Sequence, residues 1–474
     1  MKKSQFISWF FFFAILTIFF LPPTDPDLGW HLRCGQLIWQ GQSFCTPNQF
    51  SVLLENYHWP NHYWLYQAMI YPVYRLAGLW GLTFLNSFLM ASAIILLYSA
   101  IKNYPWEKML ALGLIIHFSW TVFNFGIRSQ LMGLFFFSLL LWLLSKMETK
   151  PKLMFFLPLV TLLWANSHGS TIIGLILLAF FGLKIILDKP GRLFPLAFIF
   201  LLASVITLLN PFGFRIYQDA WRHFTIVKLE TLIAEWVSPV PSTQRLILFS
   251  SLGVFLYLFL GNRLRHKFLA FLVLFFALAA LKARRQVPFY FSVSFYLLFL
   301  SSLTKKILTP WLKQKTLRES LAVLTPIPLM LFGFLVIFPQ AFEFNSSWQN
   351  YCQKNSLTYP YQAVEFLKAQ SEKGNLFNRY EWGGFLIWQL PEYKVFVDGR
   401  MPAWSTLSGK SPYTIYLETL QTQPGWQETL NEYKIDWILI SPGVFMDLKL
   451  RPNPGEFGWE EVYRDSISVI YKRK

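Results

Sequence analysis

Charge is what this chain has least of. Only 14% of its 474 residues are Asp, Glu, Lys or Arg, while 54% are hydrophobic and 19% aromatic. Soluble domains carry about a quarter charged residues, so the deficit excludes an ordinary soluble globule and points to lipid as the solvent for much of the chain. Cysteine is scarce too: Cys34, Cys45 and Cys352 are too few for a disulfide framework, although Cys34 and Cys45 share one loop and can pair in an oxidising compartment. No P-loop, dinucleotide fingerprint, Ser-centred nucleophile elbow or H-E-x-x-H motif occurs. That argues against ATP coupling within the chain and against a zincin-type metal site.

The charge that is present is lopsided, with a formal net value of +17. Lys and Arg fall in short clusters between apolar runs rather than in one basic stripe, which excludes nucleic acid as the partner and fits membrane loops. Apolar runs near 5–22, 79–101, 108–125, 130–145, 153–167, 169–187, 193–209, 245–261, 268–282, 288–304 and 321–339 predict about eleven membrane helices. The first run exceeds a signal-peptide core and is followed by no small-x-small cleavage site, so it reads as a retained span.

With Lys2 and Lys3 in the cytoplasm, alternate loops place Lys102 and Lys108, Lys146 to Lys152, Lys184 to Arg192, Arg263 to Lys267 and Lys305 to Arg318 on the same side. The opposite, extracytoplasmic side then receives every unusual residue. It holds the long loop 23–78 with Asp25, Asp27, His31 and His62, then Arg128, then Asn166 and His168, then Glu235, then Lys282, Arg284 and Arg285. The expected location is the plasma (inner) membrane. The domains expected are 1–339, membrane-embedded, and 340–474, a compact extracytoplasmic α/β domain. In the tail "YQAVEFLKAQ" and "YTIYLETL" read as helices, and "KVFVDG", "DWILIS" and "EEVYRDSISVIYKR" as strands.

The first outer loop predicts two surface helices. One starts after Asp25–Pro26, with Asp25 as its cap, and stops at Gly41. The other, in "NHYWLYQAMIYPVYRLAG", shows an apolar stripe of Trp64/Leu65, Ala68/Met69, Val73 and Leu76 and reads as an interface helix. A third such segment is read in "RIYQDAWRHFTIVKLETLIAEW".

Each ionisable residue on this side supports two readings. Asp25 and Asp27 serve as a helix cap and a dipole-favoured acid, or as a general base or ligands of a divalent cation. Arg284 and Arg285 snorkel to headgroups, or their planar forks clamp a lipid phosphate. Arg128 meets a structural acid or carbonyl, or substrate. His168 is a solvated turn residue or a site member, Glu235 an interface anchor or a site member, and His31 and His62, which show no zinc-site spacing, stand with them as candidate substrate-binding residues. The glycines of "EWGGFL" and "VDGR" read as turn residues.

Together "DPDLGWHL", "WPNHYWL", "IRSQLMG", "LLWANSHGS", "LLNPFGFR", "EWVSP", "ARRQVP", "EWGGFLIWQL" and "VFVDGR" span most of the chain in order. In them the sequence resembles bacterial multi-spanning glycosyltransferases of the GT-C class, in particular a branch bearing "DPDLWWHL" after the first span. The resemblance implies sugar transfer from a polyprenyl-phosphate carrier to a glycan, lipid or protein acceptor on the outer face. It implies a catalytic role for Asp25 or Asp27 and a hold on the carrier phosphate by Arg284 and Arg285. Gly29 departs from the branch, which has a second tryptophan there, and the proline within "DPD" leaves cation dependence open. Two other classes compete: a transporter or flippase for lipid-linked glycans, expected to bury ionisable groups at mid-span, and a non-catalytic scaffold with an outer binding domain.

Overall fold

The computed structural model describes residues 3–101, 105–147, 149–188, 193–225, 235–260, 264–300, 315–402, 404, 406 and 409–474. Lys102, Lys189, Arg192, Arg263, Lys305, Lys306 and Lys313, and residues 226–234 of the third surface segment, lie outside them. The backbone divides into two compact units. A helical unit comprises Met1–Pro22, Leu82–Ala220 and Val227–Ala341, and a mixed unit comprises Pro23–Gly81, Trp221–Ile226 and Phe342–Lys474.

In the helical unit the apolar runs form helices Lys3–Ile18, Pro105–Phe123, Ser129–Met147, Leu157–Ala165, Thr171–Asp188, Leu193–Val205, Pro241–Phe259, Leu264–Lys282 and Val287–Leu300. The helix Trp64–Ala100 is broken at Gly78, whose φ of 57° is the left-handed conformation that ends the loop helix and begins the span. Among the described residues, Trp64–Ala100, Ser129–Met147, Pro241–Phe259 and Ser320–Asn345 are long and apolar enough to cross a membrane. Gln5–Ile18, Pro151–Ala165, Thr171–Leu187 and Phe194–Leu208 are apolar but shorter, so crossing length is established for four helices rather than for eleven. The last run carries a π-turn at Gly333–Ile337. There Gly333 meets Thr17 of the first helix so closely that a Cβ would collide with it.

The mixed unit is built on a five-stranded sheet of order β2-β1-β3-β5-β4. The strands are β1 (Asn375–Asn378), β2 (Lys394–Val395), β3 (Ile435–Ile440), β4 (Trp459–Arg464) and β5 (Val469–Arg473). β1 pairs in parallel with β2 and β3, and β5 runs antiparallel to β3 and β4. The first loop extends the sheet: Val395 donates to the Phe50 carbonyl at 2.9 Å, and its own carbonyl accepts from Val52 at 3.0 Å. β3 is nearly all buried, as a strand covered on both faces should be. The predicted tail helices are present at Tyr361–Lys368 and Pro412–Leu420.

Two expectations change here. The loop helix beginning at Trp64 buries Tyr66, Gln67 and Ile70 rather than the apolar stripe, and Leu76 is 86% exposed. Gln67 tolerates burial because it is hydrogen-bonded at both ends of its amide. The glycines of "EWGGFL" and "VDGR" are not turn residues of positive φ; they are sites of close approach. Helices Leu28–Trp39 and Gly383–Gln389 cross where Gly29 and Gly384 meet, and a Cβ on Gly29 would strike the Gly384 carbonyl. That contact leaves no room for a side chain at position 29.

Candidate functional site

Within the helical unit, the ends of several helices bring four of the singled-out residues together. Glu235 forms an ion pair with Arg128, and both are buried. Gln130 donates to the other Glu235 oxygen at 3.4 Å. The "EWVSP" and "ARRQVP" segments are zipped by backbone bonds: Arg284 N–H donates to the Val237 carbonyl at 3.0 Å and Arg285 N–H to the Glu235 carbonyl at 3.3 Å. Aromatic faces hold the guanidinium groups, Arg128 over Phe125 at 4.5 Å and Arg285 over Trp236 at 4.8 Å. Burial by itself would raise the Glu235 carboxyl. The charges of Arg128, Arg285 and Arg284, with the Arg128 hydrogen bond, outweigh it and hold Glu235 below the usual carboxylate range.

Next to this cluster lies a pocket lined by Arg128, Gln130, His168, Ser170, Arg285 and Gln286, closed by apolar residues such as Phe123 and Phe289. Arg284 and Glu235 are not among its lining residues. The arrangement can hold an anion: two guanidinium forks, an amide and an imidazole converge in apolar walls, where charge-assisted hydrogen bonds gain strength. Asn166 is a structural residue by contrast, its amide donating to the Leu162 and Leu209 carbonyls.

In the mixed unit the acids form a second cluster. The helix proper begins at Leu28, two residues later than a cap at Asp25 requires. Pro26 instead occupies a turn in which the Asp25 carbonyl accepts from Leu28 N–H at 3.1 Å and its carboxylate accepts from Asp27 N–H at 3.3 Å. Trp30 Nε1 donates to Asp27 Oδ1 at 2.9 Å. Gly399 packs on the same oxygen, in the space a Cβ would need. Tyr351 and Tyr359, both buried, and the half-buried Tyr380 lie within reach of these charges. Burial first, then Asp25 among the neighbouring groups, raises Tyr351 and Tyr359; burial, then Asp27 and Asp398, raises Tyr380. All three therefore remain neutral hydroxyls beside the carboxylates.

His31 and His62 belong to the packing around this cluster. His31 stacks on Trp30 at 3.6 Å and its Nδ1 meets Gln67 Nε2 at 3.1 Å. Asn61 Nδ2 donates to the Phe44 carbonyl and to Gln67 Oε1, which fixes the Gln67 amide and makes its nitrogen the donor to His31. The His62 ring lies 4.1 Å from Tyr63. Cys34 and Cys45 form a disulfide. Asp398 and Arg400 form a fully buried pair with Asn48, which secures the "VDGR" segment that carries Gly399. Among the described residues, no group of three or more His, Cys, Asp or Glu is placed to hold a metal ion.

Gln130, Ser170, Trp30 and the three tyrosines were not singled out from the sequence. Gln130 and Ser170 stand inside "IRSQ" and "SHGS", beside residues that were, and that adjacency is the signal that could have found them.

The chain shares its fold with the solved structures of an archaeal oligosaccharyltransferase and of ArnT. It is similar to the oligosaccharyltransferase of Archaeoglobus fulgidus in its apo form, with a TM-score of 0.56 over 91% of this chain and 69% of that one, at 11% identity. The oligosaccharyltransferase AglB of the same organism, in complex with an inhibitory peptide and a dolichol-phosphate, matches over 100% and 75% with a TM-score of 0.57 at 11% identity. ArnT from Cupriavidus metallidurans, bound to undecaprenyl phosphate, matches over 99% and 97% with a TM-score of 0.51 at 11% identity. No protein-family profile and no curated protein matches the sequence.

Proposed function

We propose that the protein is a membrane glycosyltransferase that moves a sugar from a polyprenyl-phosphate carrier to an acceptor hydroxyl on the extracytoplasmic face. The observation that carries this reading is the pocket in which Arg128, Arg285, His168 and Gln130 converge. A phosphate ester is the ligand such a donor set suits: planar forks for its oxygens and an apolar wall for what it is attached to. The shared fold adds a class-level likeness to the neighbours that carry polyprenyl phosphates.

In this reading the helical unit binds the carrier phosphate and the mixed unit supplies the base. Asp25 or Asp27 takes the proton of the acceptor hydroxyl, the hydroxyl oxygen bonds to the anomeric carbon, and the carbon–oxygen bond to the phosphate breaks. The polyprenyl phosphate leaves with the electron pair, and the arginines stabilise its charge. A carrier already loaded with sugar makes nucleotide-binding motifs unnecessary. The N-terminus is cytoplasmic and the tail extracytoplasmic, which suits a disulfide-bonded first loop.

The test is transfer by the purified full chain in lipid nanodiscs, from a radiolabelled polyprenyl-phosphate sugar to cell-envelope acceptors, with Asp25→Asn and Asp27→Asn as controls. Transfer by the wild type that both substitutions leave unchanged would dismiss the assigned base. Binding and translocation of the carrier without any transfer would favour the transporter.

A further inference from the structure

The anion pocket contains a histidine whose charge state is set by its neighbours. Ser170 N–H donates to His168 Nδ1 at 3.0 Å. A backbone N–H can only donate, so Nδ1 is an acceptor and carries no proton. Ser170 Oγ meets the same nitrogen at 2.7 Å while accepting from Trp164 Nε1 at 3.0 Å, which leaves its own proton for Nδ1. Trp164, Ser170 and His168 thus form one directed chain of hydrogen bonds. Two glycines make room for it. A Cβ on Gly133 would come within 2.5 Å of Ser170 Oγ and 3.4 Å of His168 Nδ1, and one on Gly174 would overlap the ring of fully buried Trp164.

We infer that His168 is locked as the neutral tautomer with its proton on Nε2, and that it serves the pocket as an uncharged N–H donor to a phosphate oxygen. Ser170, Trp164, Gly133 and Gly174 act as positioning residues for that donor. An imidazolium would need a proton on both nitrogens, which the Ser170 N–H opposes. The positive charge of the pocket therefore belongs to Arg128 and Arg285, partly offset by Glu235, and His168 contributes direction instead. A neutral donor adds direction to the hold on a phosphate oxygen without adding charge, and the preference for a lipid phosphate over inorganic phosphate is left to the apolar walls of the pocket. The inference rests on the carrier-phosphate reading above.

The experiment uses the full chain in nanodiscs with ¹⁵N-labelled histidine, and His168→Gln assigns the resonance. At neutral pH the long-range ¹H–¹⁵N spectrum is expected to show one protonated nitrogen on His168, Nε2. A proton on Nδ1, or on both nitrogens, overturns the lock. Affinity is then measured for a short-chain polyprenyl phosphate and for inorganic phosphate. His168→Gln, which keeps an amide N–H near the Nε2 position, is expected to bind the lipid phosphate within about threefold of wild type. His168→Phe, which keeps the ring, should lose about tenfold or more, the scale of one hydrogen bond to a charged acceptor. It should lose a similar factor for inorganic phosphate, whose oxygens accept the same N–H, while the apolar walls keep the lipid phosphate the tighter ligand. A wild type that binds the lipid phosphate while His168→Phe binds it equally overturns the donor role alone. A wild type that fails to bind it overturns the carrier reading together with the donor role, while the spectrum still decides the tautomer.

Discussion

The two units handle their charges in opposite ways. The helical unit surrounds one buried carboxylate, Glu235, with Arg128, Arg284 and Arg285, and lays two of those guanidinium groups on aromatic faces. The mixed unit places two carboxylates, Asp25 and Asp27, among raised, neutral tyrosines and seats one of them on a glycine. Excess positive charge in an apolar cleft suits holding an anion, and carboxylates among hydroxyl groups suit moving a proton. On the proposed reading, binding and chemistry fall to separate pieces of chain, so each should be damaged separately.

The largest effect should come from the acids. Asp27→Asn keeps an acceptor for Trp30 Nε1 but removes the base, and transfer should fall by about 10²–10⁴ with carrier affinity little changed. Should carrier affinity fall instead while turnover per bound carrier holds, the division of labour breaks. Arg285→Ala should do the reverse. It should weaken carrier binding by about 10- to 100-fold, seen as a raised KM, and leave the rate at saturation much closer to wild type. Arg285→Lys should recover only part of that loss, because an ammonium has no fork to match two phosphate oxygens and stacks less well on Trp236.

How much of this was legible in the sequence follows from the range of the forces involved. Helices and the strands of the tail were readable because hydrophobic runs and alternation are local signals, and Gly41 and Gly78 marked helix ends because both adopt positive φ. The number of crossings was less readable: a run with no polar face does not show where a helix begins to count as a span, and four meet the length. Arg128, His168, Glu235 and Arg285 stood out because charge is rare here. Ser170 and Gln130 did not, since a hydroxyl or an amide at a helix end looks like an ordinary cap. The buried face around Gln67 was hidden because its partners, His31 and Asn61, are brought to it by the fold. Gly384 and Gly399 were taken for turns because close backbone approach leaves no mark in the neighbouring letters, and the contact that excludes a side chain at Gly29 is equally unmarked.

Gly399 offers a finer test of the same contrast. A methyl at 399 must displace the Asp27 carboxylate or the buried Asp398–Arg400 segment that carries it. Misplacing a catalytic group by 1 Å can cost about 10²-fold, and a shift shared between both partners should cost about tenfold. Gly399→Ala should therefore lower turnover about tenfold with carrier affinity intact. A loss of affinity in this variant would tie the acid segment to carrier binding and erase the distinction between the units.

The smallest effect is the pH dependence of the Arg128–Glu235 pair. Glu235 has a folded-state value below its unfolded one, so its contribution to stability is fully present above the unfolded carboxylate value, about pH 4.5, and is lost as pH falls through the folded value. Glu235→Gln cannot titrate and leaves the arginines without their countercharge at every pH. The melting temperature of the wild type should exceed that of Glu235→Gln at pH 6–7, and the gap should narrow by about 2 °C once the pH drops below 4. Bound polyprenyl phosphate should shrink the same gap at neutral pH, because a phosphate between Arg128 and Arg285 replaces the charge that the glutamine lacks. No gap at any pH would mean that Glu235 acts through its backbone carbonyl to Arg285, which glutamine keeps, and contributes nothing through its charge.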